Sequence, residues 1–195
     1  MDQMNDINEA ALARLTAAGL EKCLLKLTSV SPGVWQLSGV RVFSGPVRDA
    51  IRKRELGEKP AAAIRIKIKG ATPFITAIIF DPEDIRHISG CFAEASFYGP
   101  FSAEQPDVTV IEIGNILLNA LANSLLRGFG KSAVPSVPAH FQGEYGAIEK
   151  WLGAGPGAFT VISAQFTMQR EDRTAAAEIL AFLPPELAAE AQPPK

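Results

Sequence analysis

The chain has few of the residues that bind metals or form covalent cross-links. It contains 2 cysteines, Cys23 and Cys91, and 2 histidines, His87 and His140, among 195 residues. Two isolated cysteines exclude a disulfide framework and a four-ligand zinc site of the usual spacing. We therefore expect no metal site and no fold that depends on disulfides.

The chain also lacks an excess of charge of either sign and a segment that would direct it to a membrane. Its 19 basic and 21 acidic residues leave a formal net charge of -2, so no broad cationic surface is expected to bind nucleic acid or an anionic membrane. The N-terminus lacks the basic and apolar regions of a signal peptide, and we expect no apolar run long enough to cross a bilayer. These features predict a soluble, cytoplasmic protein without a nucleic-acid or membrane partner.

What the chain does contain is enough apolar sequence for a core, arranged in alternating helices and strands. Hydrophobic residues make up 47% of it, which suffices for one large domain. Ala63–Lys69 alternates apolar and charged residues and Pro73–Phe80 is more continuously apolar, so together they predict an antiparallel hairpin. The other predicted elements are helices at Asn8–Leu27, Val47–Glu55 and Pro82–Phe92 and strands at Val34–Phe43, Ala158–Gln169 and Thr174–Leu183.

The predicted elements occur twice in the same order, and the letters of several segments match. The matches have offsets of 98, 97 and 102 residues. They are Arg41–Gly45 with Ala139–Gly143, Ala50–Lys53 with Ala147–Lys150, and Phe80 with Phe182. The pattern therefore predicts an internal pseudo-twofold repeat of the order αβαββ.

This repeat leads to a prediction of the fold class. We predict one α/β (α+β) domain over residues 1–185, with an antiparallel sheet and two long helices side by side. Its halves are expected at about residues 8–92 and 107–183. The proline-rich end, residues 186–195, is expected to form a flexible tail.

The second long helix is predicted over Asp107–Arg127, with Gly128 as its stop signal, and it carries an unusual polar line. Four polar residues follow each other at spacings of three and four, so they share one face of the helix: Glu112, Asn115, Asn119 and Asn123. Asparagine is a poor helix former because its side chain competes for backbone hydrogen bonds. Three asparagines on one line therefore require an explanation.

Structural explanations compete with a functional one. Thr109 and Glu112 fit a capping box, in which Glu112 would serve only the helix start. The β-branched residues Val108–Ile111 would also suit a strand, with the helix beginning later. An asparagine stripe suits a solvated face or a helix-pairing seam, because capping and turn roles occupy many asparagines. The physical pattern by itself leaves these alternatives open.

The spacing of three residues resembles a known family signature. Glu112-x2-Asn115, followed after twenty-two residues by Pro138, resembles the motif of the CheC/CheX/FliY family of bacterial chemotaxis phosphatases. The flanking letters, Glu112-Ile-Gly-Asn-Ile-Leu and Ser136-Val-Pro138, are similar to that family as well. The chain departs from the family at Val108, where Asp or Ser is usual, with Asp107 one place earlier.

The resemblance implies a CheC-like domain that hydrolyses the aspartyl phosphate of a CheY-like response regulator. It implies that Asn115 positions the attacking water, that Glu112 docks the regulator, and that Pro138 belongs to the supporting motif. No cofactor of its own is implied, because the regulator carries Mg²⁺. The alternative is a non-catalytic adaptor or flagellar-switch-type module that docks a response regulator or a CheD-like protein. A homodimer is also compatible with the resemblance.

The repeat predicts one site rather than two. The positions 98 residues before the three motif residues hold Arg14, Ala17 and Val40. The first half therefore lacks the motif, and helix Asn8–Leu27 is expected to serve packing or partner binding. Asn119 and Asn123 lie further along the second helix and are expected to matter less than Asn115.

Two further patterns favour structural roles. Gly153–Gly157 is glycine-rich, but no Gly-Lys-Ser/Thr follows, so we expect a turn before a strand rather than a phosphate-binding loop. Glu83, His87 and Cys91 are spaced four apart and could share a metal on one helix. Gly90 is expected to end that helix first, which predicts an exposed Glu83–His87 pair instead.

Overall fold

Helices and strands alternate along the chain in the computed structural model, which describes residues 2–52, 60–93 and 106–191. The helices are α1 (Asp2–Val30), α2 (Val47–Arg52), α3 (Pro82–Ala93), α4 (Pro106–Gly128), α5 (Ile148–Leu152) and α6 (Pro185–Ala188). The strands are β1 (Val34–Gly45), β2 (Pro60–Lys69), β3 (Phe74–Phe80), β4 (Val134–Pro135), β5 (Ala139–Glu144), β6 (Phe159–Arg170) and β7 (Arg173–Leu183). A short 3-10 turn, Tyr145–Ala147, leads into α5.

The strands form one antiparallel sheet. Its order is β1-β6-β7-β3-β2, and both β4 and β5 pair with the outer edge of β2. The predicted hairpin of β2 and β3 is confirmed, with Ile64 opposite Ile78. The predicted α/β class with an antiparallel sheet is confirmed as well.

Some strand pairs in the two halves are related by the same offset of 98 residues as the predicted repeat. Arg41 of β1 pairs with Ser163 of β6, and residues 98 positions away, Ala139 and Arg65, pair between β5 and β2. In the hairpins, Phe80 opposite Ala62 corresponds to Leu183 opposite Thr160. The register therefore makes Leu183, rather than Phe182, the counterpart of Phe80. Superposition of the two complete halves stays a prediction.

Helices cover both faces of the sheet, which gives three layers. Helices α1, α3, α4 and α6 pack on one face together with Ile64, Ile66 and Ile78. Helices α2 and α5 pack on the other face through residues such as Ile51 and Leu152. Because both faces are covered, β3 in the middle of the sheet is buried at every position, which explains its continuous apolar sequence.

The two long helices lie side by side, as predicted, and they run antiparallel. A Cβ atom added at Gly19 of α1 would lie 2.6 Å from Ser124 Cβ of α4, so the glycine permits close approach of the two backbones. Ser124 Oγ donates a hydrogen bond of 2.6 Å to the carbonyl oxygen of Leu15. At the other side of this contact, a Cβ at Gly128 would meet Leu15. The helix pair is thus held tightly.

Helix α3 is close to the predicted Pro82–Phe92, but the expectation that Gly90 ends it is wrong. The helix continues to Ala93, and the Cys91 thiol lies in the core, 3.4 Å from Met168 Sδ. His87 does not form the expected pair with Glu83; its Nε2 is buried and has no hydrogen-bond partner among the described residues. Within the described part of the chain no group of three His, Cys, Asp or Glu residues is arranged to hold a metal ion.

Residues 186–191 do not form the flexible tail that was expected from residue 186 onward. Residues Pro185–Ala188 form α6, which begins with proline in its first turn, where the missing N–H costs nothing. Leu187 and Ala188 are buried in the core, and the Lys131 ammonium contacts Glu190 at 2.7 Å. Apolar burial therefore holds the chain in place as far as residue 191. Residues 192–195 lie outside the described residues, as do residues 53–55 at the end of the predicted second helix.

The expectation that no apolar run is long enough to cross a bilayer is wrong for helix α4. By length and composition, Val108–Gly128 is apolar enough to cross a bilayer. In the fold this segment packs on α1 and on the sheet, and half of its most apolar window is buried (50%). Its apolar character is explained by its place in the core.

Candidate functional site

The candidate site lies on the outer side of α4, and the packing of its inner side decides which residues are exposed. Four apolar residues at helical spacing are buried against the sheet or α1: Val110, Ile113, Leu117 and Leu121. On the opposite side, Val108, Glu112 and Ile116 follow at spacings of four and are exposed. Val108 and Ile116 each keep 48% of their surface accessible. Glu112 therefore projects from the surface between two exposed apolar side chains.

Gly114, between the two predicted catalytic residues, allows α4 to pack closely on the sheet. A Cβ atom at this position would lie 2.6 Å from Ile64 Cδ1 and 3.3 Å from Ile78 Cγ2. A larger residue would push the helix away from β2 and β3. The glycine thus sets the distance between the sheet and the helix that carries Glu112 and Asn115.

Helix α4 begins early enough to exclude two of the structural explanations. It is helical from Pro106, so Val108–Ile111 is not a strand. Thr109 lies inside the helix, three residues after its start, and is buried. A capping residue must precede the first helical turn, so the Thr109–Glu112 capping box is wrong. Glu112 is exposed and forms no ion pair with a described residue.

Asn115 is half-buried, and Asn119 holds its side chain. Asn119 Nδ2 donates 2.8 Å hydrogen bonds to both the backbone carbonyl oxygen and the side-chain Oδ1 of Asn115. A backbone carbonyl only accepts, so the Asn119 atom beside it must be the amide nitrogen. The Asn115 atom that this nitrogen also reaches must then be the oxygen. The Asn115 carboxamide is therefore oriented, with its NH₂ group and one lone pair of Oδ1 left for another partner.

Pro138 reaches the same strand that supports Gly114. Ser136, two residues before it, accepts a bond of 3.0 Å from Lys67 N–H and donates its own N–H to Lys67 O at 2.8 Å. Ala139, directly after it, pairs with Arg65. Pro138 thus lies along the outer edge of β2, where a residue without an N–H is tolerated. Strand β2 therefore contacts both parts of the predicted motif: helix α4 packs on it at Gly114, and the segment that contains Pro138 pairs with its edge.

A groove of about 440 Å³ between α1 and α4 adjoins this site. Asn119 and Ile116 line it from α4, and Lys22 and Lys26 line it from α1. Cys23 lies in its wall; burial raises the pKa of this thiol above its ordinary value, although nearby Lys26 acts in the opposite direction. The thiol is therefore protonated at neutral pH and is a poor nucleophile.

A larger cavity of about 780 Å³ lies on the other face of the sheet, between α2, α5 and the glycine-rich loop. Gly153, Gly155 and Gly157 have positive φ angles of 61°, 84° and 128°, which only glycine adopts readily. Gly153 ends α5, and β6 begins at Phe159. The loop is thus a turn before a strand, as predicted. None of the motif residues lines this cavity.

The positions equivalent to the motif in the first half do not form a comparable arrangement. Arg14 is exposed on α1, whereas Ala17 and Val40 are half-buried. None of the three has a side chain that combines a carboxylate or carboxamide with exposure. One site per chain stays a prediction.

The fold assembled around this site is that of bacterial chemotaxis proteins. The structure is similar to FliY from Thermotoga maritima, with a TM-score of 0.68, 12% identity, and coverage of 93% of this chain and 91% of that chain. It is similar to the chemotaxis protein CheX from Desulfovibrio desulfuricans (TM-score 0.55, 11% identity, 89% and 99% covered). It is also similar to the FliM middle domain from H. pylori (TM-score 0.58, 7% identity, 93% and 96% covered).

These similarities confirm, at the level of the fold, the resemblance that the motif spacing indicated. Models of protein families give no match to the chain, and curated protein sequences give none either. Because the sequence identities to the solved structures are low, shared architecture rather than shared sequence relates this chain to FliY and CheX.

Two features of the site were missed in the sequence. Asn119 was expected to matter less than Asn115, yet it is the residue that orients the Asn115 amide. The spacing of four between the two asparagines is the signal that indicates such a contact, since side chains four apart on a helix are neighbours. The second feature is that Lys22 and Lys26 lie close to Asn119. No sequence pattern indicates this, because the two lysines belong to a helix that is distant from Asn119 along the chain.

Proposed function

We propose that this chain is a cytoplasmic protein phosphatase that hydrolyses the aspartyl phosphate of a CheY-like response regulator in chemotaxis or two-component signalling. The observation that carries the proposal is the Asn115 carboxamide, oriented by Asn119 and placed one turn from the exposed carboxylate of Glu112. A scaffold that serves only for docking has no need for an amide fixed in this way. The fold shared with CheX supports the proposal.

Asn115 would position water rather than act as a base. An aspartyl phosphate is already an activated acyl phosphate, and Mg²⁺ carried by the regulator would neutralise the charge on the transferring oxygens. The remaining requirement is a water in line with the breaking bond. The free lone pair of Asn115 Oδ1 accepts a hydrogen bond from the water, which turns the water oxygen toward phosphorus. The water oxygen forms a bond to phosphorus as the bond from phosphorus to the aspartate oxygen breaks. The aspartate leaves as its carboxylate, and both water protons remain with the inorganic phosphate that is released.

Glu112 would dock the regulator. Its carboxylate is exposed and free of ion pairs among the described residues, so it can form a charge-assisted contact with a lysine of the regulator. Val108 and Ile116 on either side offer apolar contact area. The combination of a central charge and apolar neighbours suits a protein surface better than a small substrate.

Asn115→Ala tests the proposal most directly. We expect the acceleration of dephosphorylation to fall about tenfold to a thousandfold, where each factor of ten corresponds to about 1.4 kcal/mol, while binding of the regulator persists. Glu112→Ala should weaken binding as well, because it removes the docking charge. The measurements are the lifetime of the regulator's phosphoryl group with each variant and a binding titration. Asn123→Ala is the matched control, since Asn123 is exposed and lies two turns away.

The contradicting result would be full activity of Asn115→Ala. The second candidate function, a non-catalytic adaptor or flagellar-switch-type module, would then replace the first. It is favoured by the fold shared with a FliM chain in a FliM–SpeE complex (TM-score 0.65) and by the exposed apolar residues Val134 (71%) and Val137 (85%) beside Pro138. Binding of a regulator, a CheD-like protein or a second copy of the chain without dephosphorylation would support this candidate.

A further inference from the structure

The groove between α1 and α4 is lined by three cationic side chains that form no ion pair with a described carboxylate. Lys22 and Lys26 lie one turn apart on α1, and Arg127 lies on the facing helix. All three are exposed, and none forms an ion pair with a residue in the described ranges. Glu21 directly precedes Lys22, but adjacent residues of a helix point in different directions. The groove is therefore a locally cationic surface on a chain whose formal net charge is -2.

This cationic surface is continuous with the candidate site. Ile116 and Asn119 line the groove, and Ile116 directly follows Asn115. Because α1 and α4 run antiparallel with Gly19 against Ser124, moving toward the C-terminus of α1 leads toward the N-terminus of α4. Lys22 and Lys26 are therefore on the side of the crossing where Asn115 and Glu112 lie. A protein seated over Glu112 and Asn115 would extend over the groove.

The chemistry of a phosphorylated aspartate indicates what this surface meets. A Mg²⁺ ion beside an aspartyl phosphate needs oxygen ligands, and these come from carboxylates and from the phosphoryl group. The surface around such a site on the partner is therefore acidic. Opposite charge across an interface raises the rate of encounter and fixes the orientation of docking.

We propose that α1, the helix without the motif, supplies the electrostatic half of the docking surface: Lys22 and Lys26 bind the acidic surface that surrounds the aspartyl phosphate of the regulator. The inference rests on the proposed function and assigns its partner-binding residues. Since the two lysines are exposed and hydrated, they act on association and on its salt dependence rather than on the chemical step.

The test is the double charge reversal Lys22→Glu/Lys26→Glu. The probe is a CheY-like regulator of the source organism, phosphorylated with acetyl phosphate. We expect Kd and KM to rise about tenfold to a hundredfold with kcat unchanged, and the dependence of binding on salt to become flatter. The matched control is Arg48→Glu/Lys150→Glu, which changes net charge equally on the opposite face of the sheet. Both control positions are exposed, and this variant should bind like the wild type.

The results separate this inference from the function on which it rests. If Lys22→Glu/Lys26→Glu binds with unchanged Kd and salt dependence while Asn115→Ala loses activity, the cationic surface has no docking role and the phosphatase proposal stands. If Asn115→Ala keeps full activity, the phosphatase proposal fails, and the titration still decides whether the groove binds the regulator. Equal weakening by the control variant would show a general charge effect and would overturn the inference.

Discussion

Helices α1 and α4 are neighbours with similar buried sides and different exposed sides. Each packs leucines into the same core, such as Leu20 of α1 and Leu121 of α4, both fully buried. On the exposed side, α4 carries Glu112 and the oriented Asn115, whereas α1 carries Lys22 and Lys26. Burial requires only apolar residues of suitable size, so it leaves the exposed positions free to differ. Two helices of one core can therefore hold separate parts of one function.

The two helices also depend on each other for position. Small residues at their contact, Gly19 and Ser124, bring the groove lysines near the asparagine line. Gly114 does the same between α4 and the sheet. The comparison of α1 with α4 can be tested by substitutions at three places: the contact between the helices, the pair Asn115 and Asn119, and the exposed face of α1.

Gly19→Ala should have the largest effect on stability. Its Cβ would lie 2.6 Å from Ser124 Cβ and 3.3 Å from Ala120 O, neither of which can rotate away. Overpacking of this kind costs about 1–3 kcal/mol, which exceeds the gain of roughly 1 kcal/mol in helix propensity. A contact as short as 2.6 Å places the cost in the upper half of that range, about 2–3 kcal/mol. We therefore expect a net loss of about 1–2 kcal/mol and a Tm lower by roughly 2–8 °C, measured by thermal unfolding.

Gly90→Ala in α3 is the matched control for this change. A Cβ at Gly90 meets no atom of a described residue within 4 Å, so only the propensity gain is counted and the protein should become slightly more stable. Equal shifts of Tm for the two variants would contradict the close approach of α1 and α4.

Asn119→Asp should have a smaller effect than Gly19→Ala, and we expect it to lower the rate of dephosphorylation rather than the stability. The variant keeps the shape of the side chain but removes the N–H group that donates to Asn115. We expect kcat for dephosphorylation to fall about threefold to tenfold, or roughly 0.6–1.4 kcal/mol. Asn123→Asp adds the same charge one turn further along without this contact, so it should leave kcat unchanged.

A double-mutant cycle identifies the route of the Asn119 effect. If Asn119 acts by orienting Asn115, Asn119→Asp should cause no further loss in an Asn115→Ala background. An equal loss in both backgrounds would mean that Asn119 acts by another route and is not a positioning residue for Asn115.

Arg14→Ala should have the smallest effect. Arg14 occupies the position equivalent to Glu112 in the first half, is exposed, and does not line the groove. We expect phosphatase activity within twofold of the wild type, on the order of the ±0.5 kcal/mol typical of surface changes. The check is the lifetime of the regulator's phosphoryl group. A loss as large as that of Asn115→Ala would show that the first half takes part in catalysis.

Local patterns in the chain were sufficient to predict most of its elements. The alternation of Ile64, Ile66 and Ile68 with charged residues predicted β2, because successive side chains of a strand point to opposite faces. The stop at Gly128 and the apolar spacing predicted α4. Predictions failed where a local signal was weaker than packing: Gly90 lies inside α3, and Leu187 lies in the core rather than in a tail.

The order of residues along the chain was enough to predict the class of fold and the helix that carries Glu112 and Asn115, because periodicity and motif spacing are properties of neighbouring residues. Three features were seen only in the folded chain. Strand β1 pairs with β6, and Lys22 and Lys26 lie across a groove from Asn119. Helix α4 is apolar because it packs into the core. These contacts join residues far apart along the chain, and no local pattern encodes them. They arise because apolar surfaces from both halves are buried together, and that burial sets where each exposed side chain points.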